Sequence, residues 1–483
     1  MKGATRNMKF VRNKKIPVFQ TGKEELAPAD IVRLLFESET FSSKYETNEN
    51  YYQGQHKILN RAFSDDGKPN NKIVVNYPKY ICQVRNGYFS SSPLSIDSEN
   101  KEFLEMVTDI LDKNDFKKVF AELDGYSSIF GHSFLVLYLD EEGEIRMVPQ
   151  PPQDWIFVRS NDLLQTPKFA IRYYAWWDDV ENEQQYDIEL YTKSEIISYE
   201  GGPTDLKEVG RRPHYFGGLP VLEFSENNSR KGAFEDAIPL LDAYENILSD
   251  TVNTINYFSD CYLVLTGCEA DDKDIAEMKR NRVIVLPENS NASFLMKNIN
   301  ETYNKNALKS LQEDIFVISC TPLLSDSSFS SNSSGVAVSY KLFSMEKSTQ
   351  NKENDFRKGF NEMFIMIKNI MALKGFKYDD DAKIMMTFTR SNPVNSLTEI
   401  SDSISKLRGT VSNTTLLSQL DFVTNVELEK ERLRSEKEED MEFQLKYQTQ
   451  MFGNVNEVKT DSDKARDELE NEEDNNNHGH DYQ

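Results

Sequence analysis

Cysteine is scarce in this chain: four residues in 483, at Cys82, Cys261, Cys268 and Cys320. Only Cys261 and Cys268 lie near each other and no CxxC pair occurs, so neither a thiol-held zinc nor a thioredoxin-type redox pair is read here. A reducing compartment fits, and a chain of this length buries most of its apolar surface without disulfides. Long apolar runs are missing too, so no segment is read as crossing a bilayer. The start, Met1 to Lys15, is basic and polar without the apolar centre of a secretory signal, and Met8 is a second potential initiator. Neither GxxxxGKS/T nor GxGxxG is present, which removes support for nucleotide chemistry. Of the five histidines, His132 precedes Ser133 outside any GxSxG elbow, so Gly131-His132-Ser133 reads as structural. His478 and His480, with Asp481, fall in an acidic tail where metal binding would be adventitious. His56 and His214 have no partner that the sequence names, and Asp379-Asp380-Asp381 reads as a solvated turn. No catalytic constellation and no cofactor site is signalled. Positive charge is in deficit: 56 basic residues against 80 acidic, a net charge of −24. Tight binding to nucleic acid needs cations that release counterions, and this balance disfavours it. It does not exclude a protein that touches DNA and lets it slide.

What is present is aromatic and periodic. At about 100–200 residues per domain, the length implies two to four domains, and the 11% aromatic content argues against wholesale disorder. Ala27 to Ile58 has a helical pattern through Ile31, Leu34, Leu35, Phe41 and Tyr45. Ile73 to Pro78 reads as a short strand or extended stretch, followed by a helix through Ile81, Val84 and Tyr88. Phe103 to Tyr126 reads as one amphipathic helix. Gly131 to Leu139 reads as a buried strand. A β-rich block follows, with runs at Ile145 to Val148, Trp155 to Val158, Phe169 to Trp177, Tyr186 to Tyr191 and Ile196 to Tyr199. Beyond a Gly217 to Val221 punctuation, Phe234 to Phe258 is a helical stripe in which Pro239 is tolerated only in the first turn. Cys261 to Leu265, Val283 to Leu286 and Phe294 to Ile299 read as strands around a charged helix, Asp271 to Arg280. A second helix carries Leu308, Leu311, Ile315 and Ile318. This αβ insert of about forty residues thus sits between two helices able to run side by side.

The chain is organised around Cys320 to Gly375. Pro322 ends the preceding helix, and seven of the ten residues from Ser325 to Ser334 are serine, with Phe329 the only large apolar one. Gly335 leads into a long helix whose Phe356, Phe360, Met363, Phe364, Ile367, Ile370 and Met371 recur at spacings of three and four, one apolar face. A polar loop of this size feeding a long helix usually has a task or is disordered. Ile384 to Thr389 reads as a strand, Leu397 to Leu433 as helical with a break near Gly409, and Glu427 to Glu442 as a solvated helix. From Asp461 onward nine acids face two bases, an acidic tail read as disordered.

In their order along the chain, several stretches resemble the portal proteins of tailed bacteriophages, in the branch of long-tailed phages of Gram-positive hosts. These are Tyr51-Tyr52-x-Gly54-x-His56-x-Ile58, Asn76-Tyr77 to Tyr88 with Ser-Ser-Pro93, Gly131-His132-Ser133, and Ser334-Gly335-Val336-Ala337-x-x-Tyr340-Lys341-Leu342. The resemblance spans roughly Ala27 to Leu433 and implies an α+β portal fold whose long helices line the channel of a ring oligomer. It divides the chain into an N-terminal arm (1–26), a wing (27–232), stem helix 1 (233–260), a clip (261–300) and stem helix 2 (301–320). A tunnel loop (321–338), a long channel helix with a wing strand (339–392), a helical crown (393–450) and an acidic tail (451–483) follow. It implies a non-enzymatic ring, of twelve subunits, at one capsid vertex of the virion, assembled in the host cytoplasm and without membrane contact. Double-stranded DNA would pass through it, and terminase large subunit, scaffolding and major capsid proteins and a head–tail connector would dock on it. The implied DNA-facing residues are Ser327, Ser328, Phe329, Ser330, Ser331, Asn332, Ser333, Ser334, Lys341 and Lys347, with Lys352, Arg357 and Lys358 nearby to tune passage. In the clip, Asp271, Asp272, Lys273 and Lys279 are the implied partner contacts. A structural adaptor or scaffold-type interaction protein of a phage particle is the alternative from another class, and assembly mass separates the two.

Overall fold

The computed structural model describes residues 18–62, 69–179, 182–258, 301–324, 335–376, 383–391 and 426–452, parts of 262–295, and single positions between 405 and 417. It mixes helices and strands and divides into two units, Met1–Glu399 and Ile400–Gln483. The first unit opens on a short strand, β1 (Phe19–Thr21), and the expected helix, α1 (Pro28–Tyr52). Pro28 occupies the first turn of α1, and the Asp30 carboxylate accepts the Ala27 amide at 3.1 Å. Next comes α2 (Tyr77–Phe89), capped by Asn76, whose side-chain oxygen accepts the Lys79 amide. Then follow β2 (Ser95–Asp97), α3 (Lys101–Lys113) and α4 (Phe116–Phe130). The single helix expected from Phe103 to Tyr126 is therefore two. Asp115 adopts φ 47°, in the left-handed region, and ends the helical ladder there.

The β-rich block is longer than its apolar runs. It comprises β3 (His132–Leu139), β4 (Ile145–Gln150), β5 (Trp155–Ser160), β6 (Pro167–Asp178), β7 (Glu183–Tyr191), β8 (Glu195–Gly201), β9 (Lys207–Pro213) and β10 (Val221–Ser225). Six strands form one sheet in the order β1-β5-β6-β7-β8-β9, antiparallel except for β1 beside β5, and three form a second in the order β10-β3-β4. Two of these strands carry no readable sequence signal. Every residue of β9 is exposed, so it has no apolar alternation, and β10 follows Gly217-Gly218-Leu219-Pro220 so closely that it reads as part of a turn.

Beyond the sheets lie α5 (Ile238–Phe258), the hairpin strands β11 (Tyr262–Thr266) and β12 (Asn291–Leu295), α6 (Glu301–Ile318), α7 (Gly335–Leu373) and β13 (Met385–Thr387), which pairs with β2. Pro239 lies in the first turn of α5, as its missing donor requires. The expected strand at Val283 to Leu286 falls almost wholly outside the described residues. All seven apolar residues read onto one face of the long helix are buried, against Phe89, Phe120 and Phe224 among others. Gly359 lets α7 approach β10: a Cβ there would meet the Phe224 ring at 2.5 Å. In the second unit α8 (Val426–Phe452) exposes nearly all its described side chains, and Lys446 pairs with Glu442 one turn away at 3.9 Å. That is the solvated helix its charge pattern predicts.

Candidate functional site

The helices on either side of the insert lie together. Asn304 on α6 donates to the Thr251 hydroxyl on α5 at 3.2 Å, and Phe234, Leu241, Ile315 and Phe316 share one core. One polar face of α5 is gripped by the chain between α1 and α2. The Asn71, Ile73 and Val75 amides donate to Asn253, Ser249 and Glu245 at 2.7, 3.0 and 2.8 Å. Two extended residues advance about 6.6 Å and four helical residues about 6.0 Å, so the periods match. Ile73 to Val75 is thus extended, as expected, but its ladder is to helix side chains and no strand forms. Earlier in the same stretch Tyr51 donates to Asp242 at 2.5 Å, and His56, fully buried, contacts Glu245 at 2.6 Å and the Tyr51 carbonyl at 2.8 Å while stacking on the Tyr51 ring. The Tyr51 to Ile58 pattern is therefore a fastening on α5, and it supplies the partners of His56.

Both flanks of the serine-rich segment 325–334 return to α2. On the incoming side, the Leu324 amide donates to the Tyr80 hydroxyl at 2.9 Å and Arg85 donates to the Ser319 carbonyl at 3.2 Å. Ser319 and Thr321 are buried. On the outgoing side, Leu342 and Met345 pack on Tyr88 and Val84, Arg85 donates to the Ser348 hydroxyl at 2.9 Å, and Tyr88 donates to Glu346 at 2.6 Å. One 13-residue helix thus holds both ends.

Beneath this base lies a buried charge cluster. Lys352 of α7 pairs with Asp124 of α4 and Glu226 just past β10, and donates to Ser128 at 3.0 Å, while Arg85 pairs with Glu226 at 2.7 Å. The four charged groups expose between 0 and 6% of their side chains. Burial would raise the Glu226 carboxyl, but Lys352 and Arg85 outweigh it and bring it down to about 2. Burial penalises the Lys352 ammonium, yet Asp124 and Glu226 hold it above its ordinary value. At Asp124 burial outweighs Lys352 and raises the carboxyl, so two cations meet two acidic groups inside the protein, each with a partner, as a buried charge requires.

A second cluster explains Gly131-His132-Ser133. Gly131 caps α4 at φ 92°, where a Cβ would sit 2.2 Å from the Arg230 carbonyl oxygen. His132 meets the Tyr45 hydroxyl at 2.7 Å and Glu223 at 2.9 Å, and Ser133 donates to the Leu123 carbonyl at 2.8 Å. Burial lowers the imidazole pKa and raises that of the Tyr45 phenol. The neutral ring therefore accepts from Tyr45 at Nε2 and donates from Nδ1 to Glu223. Arg230 and Arg159 override burial and keep Glu223 well below the usual carboxylate range. The motif thus ties β3 to α1, α4 and β10 through its side chains.

The expected DNA-facing residues Ser327 to Ser334, with Phe329, lie outside the described residues, as do Asp272 and Lys279. Lys341 is half-buried; Lys347 is exposed, donating to Gln350 at 3.0 Å and lying over the Phe343 ring. Asp271 and Lys273 are exposed, the Asp271 carboxylate accepting the Lys273 amide at 2.9 Å. Lys358 is exposed, but Lys352 is not free to tune passage. Lys352 is the centre of the buried cluster, and Arg357 donates to Glu353 and to the Met386 carbonyl at 2.6 and 2.7 Å. The reason is helical phase: Lys352 stands four residues before Phe356, on the apolar face. Among the described residues no group of three or more His, Cys, Asp or Glu is placed to hold a metal ion, and no helix is long and apolar enough to cross a membrane.

Residues 33–442 match the family described as phage portal protein, SPP1 Gp6-like. The portal protein of Bacillus phage SPP1 is 23% identical over 398 residues, 79% of each chain. The portal protein of Clostridium phage phiCD119 is 24% identical over 430 residues, covering 81% of this chain and 93% of its own. A chain in the solved neck of a native GTA particle, computed with C12 symmetry, superposes with a TM-score of 0.41 at 12% identity over 71% of this chain and 89% of that one.

Proposed function

The chain belongs to the phage portal proteins of the SPP1 Gp6-like family, structural components of the virion at the capsid vertex, and from that premise we propose that it forms a dodecameric ring through which DNA is packaged and ejected. In this reading α5 and α6 are the stem and the hairpin β11–β12 belongs to the clip. The sheets, with the strand after Gly375, form the wing, α7 is the long channel helix, and residues from 393 onward are the crown. Segment 325–334 is the tunnel loop in the axial channel. Terminase large subunit and the head–tail connector dock on the clip, near Asp271 and Lys273. Scaffolding and major capsid proteins bind elsewhere on the ring, and assembly takes place in the host cytoplasm. The chain itself performs no catalysis.

The observation that carries the loop assignment is the double attachment to α2. The residues on either side of this polar segment are fastened to one helix, over a buried base of paired charges. A channel that passes DNA must avoid holding phosphates, which suits a net charge of −24. Serine hydroxyls offer contacts to phosphate oxygens that carry no sequence information. Deleting Ser327 to Ser333 tests this. Rings should still assemble while packaging fails; undiminished packaging would overturn the loop's role.

A further inference from the structure

The six-stranded sheet carries two features that the fold leaves unused, at opposite ends of β6 and β7. At the hairpin end, Tyr174, Trp176 and Trp177 are 66, 41 and 58% exposed, and exposed Asp179 follows. Trp176 and Trp177 are paired with Gln185 and Gln184 on successive rungs, so their indoles stand on opposite faces of a two-stranded ribbon. Two of the three tryptophans in the chain are thus set in water. A single exposed apolar side chain is ordinary, but adjacent aromatics at one tip mark a contact surface.

At the other end is a cleft of about 510 Å³ between the two sheets, walled by Trp155, Tyr191 and Phe216 with Arg172 and Arg212 beside them. The two guanidiniums share one carboxylate, Glu189, at 3.6 and 2.9 Å, which leaves this part of the rim net positive. His214 donates from Nε2 to the Thr192 carbonyl at 3.0 Å, and burial keeps the ring neutral. Its Nδ1 is therefore an acceptor, buried and without a partner among the described residues, and the Trp155 indole N–H is likewise unpartnered. Buried polar atoms left this way are costly. A cleft with apolar walls and a few convergent polar groups is shaped for an occupant.

What the cleft lacks, the hairpin end has: an aromatic body for its apolar walls, and a carboxylate, Asp179, for the guanidinium rim. The two cannot meet within one chain. Arg172 and Trp177 lie on the same strand, five residues or about 17 Å apart. We propose that the β6–β7 hairpin end of one protomer inserts into the cleft of a second copy of this chain. The contact is heterologous, head to tail, the kind that closes into a ring when the rotation between copies permits. This rests on the ring assigned above and adds the surface that joins neighbours.

Trp176→Ala/Trp177→Ala removes only exposed side chains, so its folding serves as its own control by circular dichroism. Wild type and variant rings are diluted, and ring mass is followed by sedimentation or single-particle mass. Loss of both indoles should raise the concentration at which rings dissociate about ten-fold or more. Asp179→Arg and Arg212→Glu should each weaken the ring and restore one another in combination. Acrylamide quenching of wild-type tryptophan fluorescence should fall several-fold on assembly. A variant ring as stable as wild type, with quenching unchanged on assembly, overturns the hairpin contact and leaves the ring intact. Wild-type protein that forms no ring even with its scaffold overturns both.

Discussion

Lys352 separates a DNA-tuning lysine from a structural one. Its ammonium sits among Asp124, Glu226, Ser128 and the neighbouring Arg85 with 3% of its side chain exposed. Replacing it by methionine keeps the length and removes one of two balancing cations, leaving a buried carboxylate uncompensated. Glu226 gives the scale: Lys352 and Arg85 together overcome burial and hold its carboxyl near 2 against an ordinary 4.5, a net stabilisation of the charged form of roughly 3 kcal/mol. Breaking a buried pair from one side costs about 3–5 kcal/mol by direct measurement in other proteins, in agreement. Lys352→Met should therefore lose about 3 kcal/mol in equilibrium urea unfolding followed by circular dichroism, at fixed protein concentration. The loss should change little with salt, because buried pairs are poorly screened. Lys352→Met/Asp124→Asn removes one charge of each sign and should recover at least half of it. A single variant within about 1 kcal/mol of wild type, or a double variant no better than the single, would refute the charge-balance argument.

Other expectations follow from particular contacts. Gly359→Ala places a methyl group 2.5 Å from a Phe224 ring that Phe356 and Phe360 flank at 5.0 and 4.9 Å, and should destabilise by about 1–3 kcal/mol in thermal unfolding. Ser249→Ala strips the Ile73 amide of its acceptor and Tyr80→Phe does the same to Leu324. Each should cost about 1 kcal/mol and speed hydrogen exchange at that one amide by several-fold. Stability should fall in two stages on acidification. Burial holds His132 below its ordinary 6.5, so its contribution is present above about pH 6.5 and shrinks as pH falls below it. Glu226 contributes above 4.5 and is lost as pH drops toward about 2. His132→Gln should flatten the first limb and Glu226→Gln the second; unchanged limbs would show that other groups carry the acid sensitivity.

The sequence was most legible where one period dominates. The stripe from Phe356 to Met371 was read directly, and the five apolar strands of the block were found, though short by a few residues at their ends. Strand β9 was invisible because only its ladder to β8 makes it a strand, and the break at Asp115 because a single left-handed residue interrupts an unchanged apolar pattern. The Tyr51 to Ile58 and Gly131 to Ser133 motifs were visible as patterns, but their partners, Asp242, Glu245 and Glu223, lie about 90 to 190 residues away. Lys352 is the instructive error. Proximity in sequence groups it with its charged neighbours, whereas its phase with Met345, Thr349 and Phe356 sets it on the buried face. The anchoring of segment 325–334 on α2 had no local signal, since Tyr80 and Arg85 act across more than 230 residues.

A ring with an axial channel has a mass and an outline that a monomer cannot imitate. Purified protein, alone and with its scaffold partner, would be weighed by native mass spectrometry and the same sample imaged. Closed rings of about twelve chains of 55.8 kDa around a central hole are the expected result. A chain that remains monomeric with its scaffold present would contradict it.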